Sequence, residues 1–271
     1  QYNASGMPMT EAAIDTGLGY TNPPIQATLL ARATWHHLVA EDYLVSGLQD
    51  SLLSSTVTLR PNYPVGLQLL LPGQANSGGS GVYPNGGKTG TASTQTAGTA
   101  FTATVNLVDA YNNIHDEISS GPDVYVMTAD PYDVEPATTP LANGTRLLTM
   151  TLVKKTTAAL ASVFPGVQAP DAVCGPSANV ACLAQAPASA SPPFAVSAGT
   201  ATKLMVLLPG ETLVQGSGKS GTPSPFAMTT PQTSFSVTVN LVDDYFNIAD
   251  ATTMPTVAVT LPADPPAAAP A

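Results

Sequence analysis

The sequence predicts an all-β protein made of antiparallel sandwiches, and three observations carry that prediction. A domain-sized stretch occurs twice: TVNLVDAYNNI at 104–114 returns as TVNLVDDYFNI at 238–248, and LLLPGQ at 69–74 returns as VLLPGE at 206–211. The residues leading into each copy alternate in character. Phe101, Ala103, Val105 and Leu107 interleave with Thr102, Thr104 and Asn106, as Phe235, Val237, Val239 and Leu241 do with Ser236, Thr238 and Asn240. A period of two sends the two sets to opposite faces of a strand, so one face is expected to be apolar and the other solvated. Finally, 22 Gly and 26 Pro among 271 residues break the chain into short apolar runs, the punctuation of an antiparallel sandwich.

Residues 1–63 show no match to either copy and are read as a distinct N-terminal assembly segment, partly helical or extended. Between 25 and 53 there is no Pro and a single Gly, and Leu29, Leu30, Leu38, Val39, Leu44, Leu48 and Leu52 fall at partly helical spacing, which predicts a helix. Residues 43–48 read equally well as strand. The alternation of Ser-Thr-Val-Thr-Leu at 55–59 predicts a strand that Pro61 and Pro64 end.

Residues 64–165 form the first sandwich in this reading, with further strands at 124–127, 147–153 and 158–164. Turns are expected at Asn112-Asn113, Gly121-Pro122 and Asn143-Gly144. A linker follows over 166–195. Its Cys174 and Cys182 enclose Gly-Pro-Ser-Ala-Asn-Val-Ala, a short turn-forming loop that brings two cysteines within reach of a local disulfide in an oxidising compartment. Two unpaired thiols are the alternative, and a metal pair is disfavoured because neither belongs to a CxxC.

Residues 196–271 form the second sandwich, which is expected to lack its last strands. After Asp264 only Pro-Pro-Ala-Ala-Ala-Pro-Ala remains, and three prolines in seven residues do not make an interior strand. An apolar core and a backbone edge are thereby left open. Three readings follow: sequence beyond Ala271, a partner's extended segment added as a strand with residues 1–63 the candidate donor, or a simpler sandwich.

The succession of an LLPG strand end, a Gly-Thr-rich loop, a Phe-led TVNLVD strand and a polar turn resembles the bacterial immunoglobulin-like repeats of large secreted and cell-surface proteins. The resemblance covers 64–165 and 196–271 and implies two immunoglobulin-like sandwiches in tandem. The first copy departs from it by an insertion around 74–100 and a long exit through 161–193.

Charge narrows the partners. Asp and Glu total 18 against 8 Lys and Arg, for a net charge of −10 and a pI near 4.4, which repels nucleic acid and anionic lipid. Only 10% of residues are charged and Thr, Ser, Gly, Ala and Pro fill the rest, a composition suited to an exposed extracellular β protein. No run reaches the roughly 18 apolar residues of a membrane span. No charged leader with an apolar core begins the chain, and Gln1 fits a leader already removed.

Motifs for chemistry are sparse. The loop Gly81-Val-Tyr-Pro-Asn-Gly-Gly87-Lys88-Thr89 has the wrong spacing for a phosphate loop, and Gly218-Lys219-Ser220-Gly221 marks it as a repeated inter-strand loop. His37 and Glu41 would share a helix face beside His36 and Asp42, but His115 is the one other histidine, so a zinc set is not assembled. Ser80 in Gly-Gly-Ser-Gly lacks the second spaced glycine of a nucleophile elbow.

Asp109, Asn112, Asn113 and Asp116 cluster at one strand end, and Asp243, Asp244, Asn247 and Asp250 at the other. They are read as turn stabilisers, with calcium the alternative. Asn3-Ala-Ser and Asn143-Gly-Thr are glycosylation sequons. Tyr111, Tyr125, Tyr132, Tyr245 and Phe246 are the candidates for a glycan platform.

The expected protein is therefore not an enzyme, and no catalytic, cofactor or metal residue is assigned. It is expected to be an extracellular structural subunit of a surface filament, pilus or layer, self-associating through its N-terminal segment. A spacer of a long multi-repeat adhesin and a glycan-binding module are the alternatives.

Overall fold

The computed structural model describes residues 28–39, 53–159, 161–165, 189–223, 235–250 and 255–260. Among these residues all regular structure is β. The chain divides into two compact units, Gln1–Ser197 and Ala198–Ala271.

In chain order the strands of the first unit are β1 (Ala33–His36), β2 (Val57–Leu59), β3 (Pro64–Leu70), β4 (Gln74–Asn76), β5 (Lys88–Gly90), β6 (Gln95–Thr96) and β7 (Phe101–Asp109). They continue with β8 (Ser120–Thr128), β9 (Thr139–Ala142), β10 (Thr145–Met150), β11 (Thr156–Ala159), β12 (Ala161–Pro165), β13 (Ser189–Ala190) and β14 (Phe194–Ser197). A seven-stranded antiparallel sheet runs β13-β12-β8-β9-β10-β7-β3, and a second sheet runs β11-β14-β6, with β14 parallel to β6. Leu69 N donates to Ser189 Oγ at 3.3 Å, so the two outer strands of the large sheet meet.

Turn chemistry sets these registers. Asn143 and Gly144 join β9 to β10 with φ of 49° and 68°, the left-handed pair of a type I′ hairpin, and Ala142 pairs with Thr145 across it. Gly121-Pro122, expected as a turn, sits instead inside β8, where the register to β9 shifts between Ser120 and Asp123. A bulge accommodates a proline that cannot donate to the ladder.

The core lies between the two sheets. Leu67, Leu69, Leu71, Phe101, Ala103, Val105 and Leu107 from the large sheet are buried against Ala159, Phe194 and Val196 from the small one. The Phe101 and Phe194 rings meet edge to face at 6.4 Å. Each such side chain contributes about 1.5–3 kcal/mol on burial.

The opposite face of β3 and β7, expected to be solvated, is covered as well. The inserted loop between β4 and β5 lies over it and supplies polar partners: Gln68 Nε2 donates to Gly87 O at 2.8 Å. Gln68 Oε1 accepts from Asn76 Nδ2 at 2.9 Å and from Asn106 Nδ2 at 3.2 Å, and Thr145 Oγ1 donates to Asn106 Oδ1 at 3.0 Å. Gln68 and Asn106 are thus buried without loss of their hydrogen bonds, which is what makes a second covered face affordable.

The N-terminal segment, read as partly helical or extended, is extended where it is described: β1 lies antiparallel to β2, while residues 40–52, which hold much of the leucine spacing and the alternative strand at 43–48, lie outside the described residues. This segment also matches part of the first unit. Residues 28–36 show the same succession of bend and strand as 151–159, and both hairpins shift register at the same place, Ala33↔Leu59 and His36↔Val57 against Thr156↔Val196 and Ala159↔Phe194. The hydrogen bonds coincide too. Ser54 N donates to Leu38 O and Leu38 N to Ser54 Oγ, as Ser191 N donates to Ala161 O and Ala161 N to Ser191 Oγ.

The end of the unit also reaches further than the sequence suggested. Residues 189–190 and 194–197, read as linker and second sandwich, pair within the first unit, as β13 with β12 and as β14 with β11 and β6.

The second unit holds β15 (Lys203–Leu207), β16 (Glu211–Val214), β17 (Gly218–Gly221) and β18 (Thr238–Val242), paired as the two hairpins β15-β18 and β16-β17. Each reproduces the pairing register of a hairpin of the first unit, with a much shorter connection between β16 and β17 than between β4 and β5. Leu67↔Leu107 and Leu69↔Val105 become Leu204↔Leu241 and Val206↔Val239, and Gln74↔Gly90 becomes Glu211↔Gly221. Gly90 and Gly221 have φ of 76° and 87°, and a Cβ on either would overlap the carbonyl oxygen of Gly73 or Gly210. The duplication is therefore one of backbone path as well as of sequence.

Candidate functional site

In both copies the second strand of the repeated hairpin leads into an aspartate that closes a turn, Asp109 at the end of β7 and Asp243 just after β18. Asp109 Oδ1 accepts from the backbone N–H of Tyr111 at 2.8 Å and of Asn113 at 2.9 Å, while its Oδ2 accepts from Asn62 N at 2.9 Å and Asn113 Nδ2 at 3.0 Å. Asp243 repeats this with Tyr245 N, Asn247 N, Gly199 N and Asn247 Nδ2, each at 2.8–2.9 Å. Both carboxylates are almost wholly buried and face N–H donors. These geometries suit a turn stabiliser and leave little of either carboxylate for a cation.

In the first unit the turn is also a fastening. Asn113 Nδ2 donates to Leu30 O at 2.9 Å and Asn113 Oδ1 accepts from Arg32 N at 2.8 Å, so a side-chain amide pairs with the chain just before β1 as a neighbouring strand would. Arg32 reaches Asp116 at 2.7 Å.

The largest difference between the copies is on the face that forms the first unit's core. Leu67 and Leu69 are 3% and 0% exposed, whereas Leu204 and Val206, at the same register positions, are 51% and 43% exposed. Phe101 is 9% exposed and its counterpart Phe235 43%. Val237, Val239 and Leu241 are half-buried where Ala103, Val105 and Leu107 are buried. The reverse face of the same ribbon is covered: Met205, Leu207 and Val242 pack with Leu213 and Phe246. Among the described residues nothing equivalent to β6, β11 and β14 stands over Leu204 and Val206. Large apolar side chains side by side in water mark a contact surface.

An acidic loop follows β8. Thr128 N donates to Glu135 Oε1 at 2.8 Å and Thr128 Oγ1 to Asp133 Oδ2 at 2.7 Å, while Asp130 Oδ2 accepts from Val153 N and Lys154 N. Burial pushes Asp133 up to about 6 and Glu135 up to about 7, the Thr128 hydrogen bonds opposing and the neighbouring carboxylates adding to the rise. A carboxyl whose folded value exceeds its unfolded one holds extra protons in the native state, so stability falls as pH rises between about 4 and 7. Allowing for partial exposure, the first unit should be less stable at pH 8 than at pH 5 by about 1–2 kcal/mol. Urea unfolding at the two pH values checks this, and Glu135→Gln should remove a large part of the difference.

The remaining sequence candidates are dispersed. His36 Nε2 lies 2.7 Å from Ala31 O and His37 Nδ1 2.8 Å from Ser54 O, so both imidazoles are engaged by the hairpin. His115 stands in the turn after β7, and no group of three metal-ligating side chains occurs among the described residues. The Gly81–Thr89 loop is packed on Asn112, whose Nδ2 donates to Gly81 O at 3.4 Å and Asn85 O at 3.3 Å, leaving no phosphate cradle. Tyr125 is buried, 4% exposed, while Tyr245 and Tyr132 are partly exposed in different units. Phe246 lies under Lys203 Nζ at 4.6 Å.

Asn143 is exposed at its hairpin tip, with the sequon threonine Thr145 bonded to Asn106. Asn3, Glu41, Asp42, Cys174 and Cys182 lie outside the described residues. No described helix is long and apolar enough to cross a membrane. No family model, curated protein or solved structure matches the chain.

The open apolar core expected of the second unit includes Leu204 and Val206, although no motif singles out these two residues. The signal was present, since they align with Leu67 and Leu69, but exposure is a property of what covers a strand and not of the strand.

Proposed function

We propose that the chain is a non-enzymatic extracellular structural protein of tandem immunoglobulin-like repeats, a subunit of a surface filament, pilus or layer whose copies join by strand addition. The observation that carries this reading is the exposure of Leu204 and Val206 at positions where the first unit buries Leu67 and Leu69. An apolar face repeated in sequence and register, covered in one copy and open in the other, is a half-built core that gains on meeting its cover. The acidic, lysine-poor composition supports an exterior setting, because it keeps copies apart until a specific contact forms. The match of β1 and β2 to β11 and β14 favours a second reading within the same class, a spacer in a long array of such repeats.

Electron microscopy of the purified chain beside one lacking residues 1–59 tests the proposal. Filaments that vanish on deletion are the expected result. Monomers in both samples would overturn it and leave the array spacer.

A further inference from the structure

The strand-addition reading takes its donor from residues 1–63 without naming the segment or the face it meets, and the inference drawn here rests on that reading. We propose that the donor is the β1–β2 hairpin, residues 28–39 and 53–59, and that the hairpin of one molecule covers the Leu204–Val206 face of a second copy of this chain.

The first unit displays the finished joint. There the face made by Leu67, Leu69 and Phe101 is buried in one cluster with Phe194 and Val196 of the small sheet, Leu152 of the β10–β11 connection and Ala161 of β12. The N-terminal hairpin carries the same backbone, register shift and Ser-to-backbone bonds, and at the corresponding positions it has Leu29, Leu38, Val57 and Leu59. Four apolar residues of that cluster, two of them from the covering sheet, are therefore matched by four apolar residues. Their exposure is not matched. Phe194 is 4% exposed and Val57 41%, and Ala161 is 1% exposed and Leu38 38%.

The molecule thus holds an uncovered cover and an uncovered face, each the counterpart of a piece that is buried in the first unit. Joining them sets Val57 of one copy against Phe235 of the next, where the first unit sets Phe194 against Phe101. Donor and acceptor are different patches of one molecule, so the contact is heterologous and, wherever it does not close on itself, extends head to tail into a chain of subunits.

Sedimentation velocity of the full chain over a range of concentrations, at physiological salt, tests this. Wild type should form a ladder of species. Val57→Asp spoils the donor and Leu204→Asp the acceptor, so each alone should stay monomeric, while their mixture should give a one-to-one dimer and nothing larger. Val57→Phe restores the edge-to-face pair and should lower the concentration at which the ladder appears by about tenfold. Both aspartate sites are exposed, so neither change should unfold the chain. A ladder that persists in Val57→Asp, or a mixture without dimers, overturns the assignment of the hairpin and leaves strand addition by another donor standing. Wild type that remains monomeric throughout overturns both.

Discussion

Asp109→Ala should lower the stability of the first unit by about 3–5 kcal/mol, measured as the shift in its urea midpoint multiplied by the transition slope. The carboxylate is 1% exposed and accepts three backbone N–H groups, those of Asn62, Tyr111 and Asn113, besides the Asn113 amide. Alanine leaves those buried donors unpaired, each costing about 1–3 kcal/mol. It also frees Asn113, whose amide holds residues 30 and 32. Asp109→Asn keeps one acceptor oxygen but turns an NH2 toward Asn62 N, so a loss of about 1–2 kcal/mol is expected for it. An effect under 1 kcal/mol for the alanine variant would show that the turn does not depend on its aspartate. Asp243→Ala in the second unit removes the same set of acceptors and should follow the same order.

Leu69→Ala and Val206→Ala change the same position of the repeated hairpin and should give very different results. Leu69 is fully buried in the core beneath the small sheet, and truncating it should cost about 3–4 kcal/mol through lost transfer energy and the cavity left behind. Val206 is 43% exposed, and its truncation in dilute solution should cost below about 1 kcal/mol. The comparison isolates cover from sequence, since the strand pairing is the same in both copies. Equal losses would mean that Val206 is covered in solution. In the proposed assembled state the Val206 change should appear as weaker association.

The duplication was legible because its strongest words, LLPG and TVNLVD, belong to the parts of a hairpin that tolerate least change. The glycines at the strand ends need φ near 90°, and the aspartate must meet N–H groups fixed by the turn. For the same reason the Asp109 and Asp243 clusters could be read as turn stabilisers from residue types alone.

Other features were hidden. The N-terminal hairpin shares with its counterpart little more than Thr28, Leu29, Thr34 and Ser54, against Thr151, Leu152, Thr157 and Ser191. Its identity lies in a strand pairing that many sequences satisfy. The second covered face of β3 was equally unreadable. A polar Gln68 looks like a solvated position until the loop that reaches over it from 77–87 is known.

The fastening of residues 30–32 to Asn113, with Asn62 tied to Asp109, has a mechanical consequence. Chain entering the first unit is gripped at the end of β7, beyond the point where β3 begins its ladder. Tension arriving from the N-terminal side therefore meets the bonds of Asn113 and Asp109 before it reaches the β3–β7 ladder, so the turn acts as a clasp that must open before the sheet is loaded.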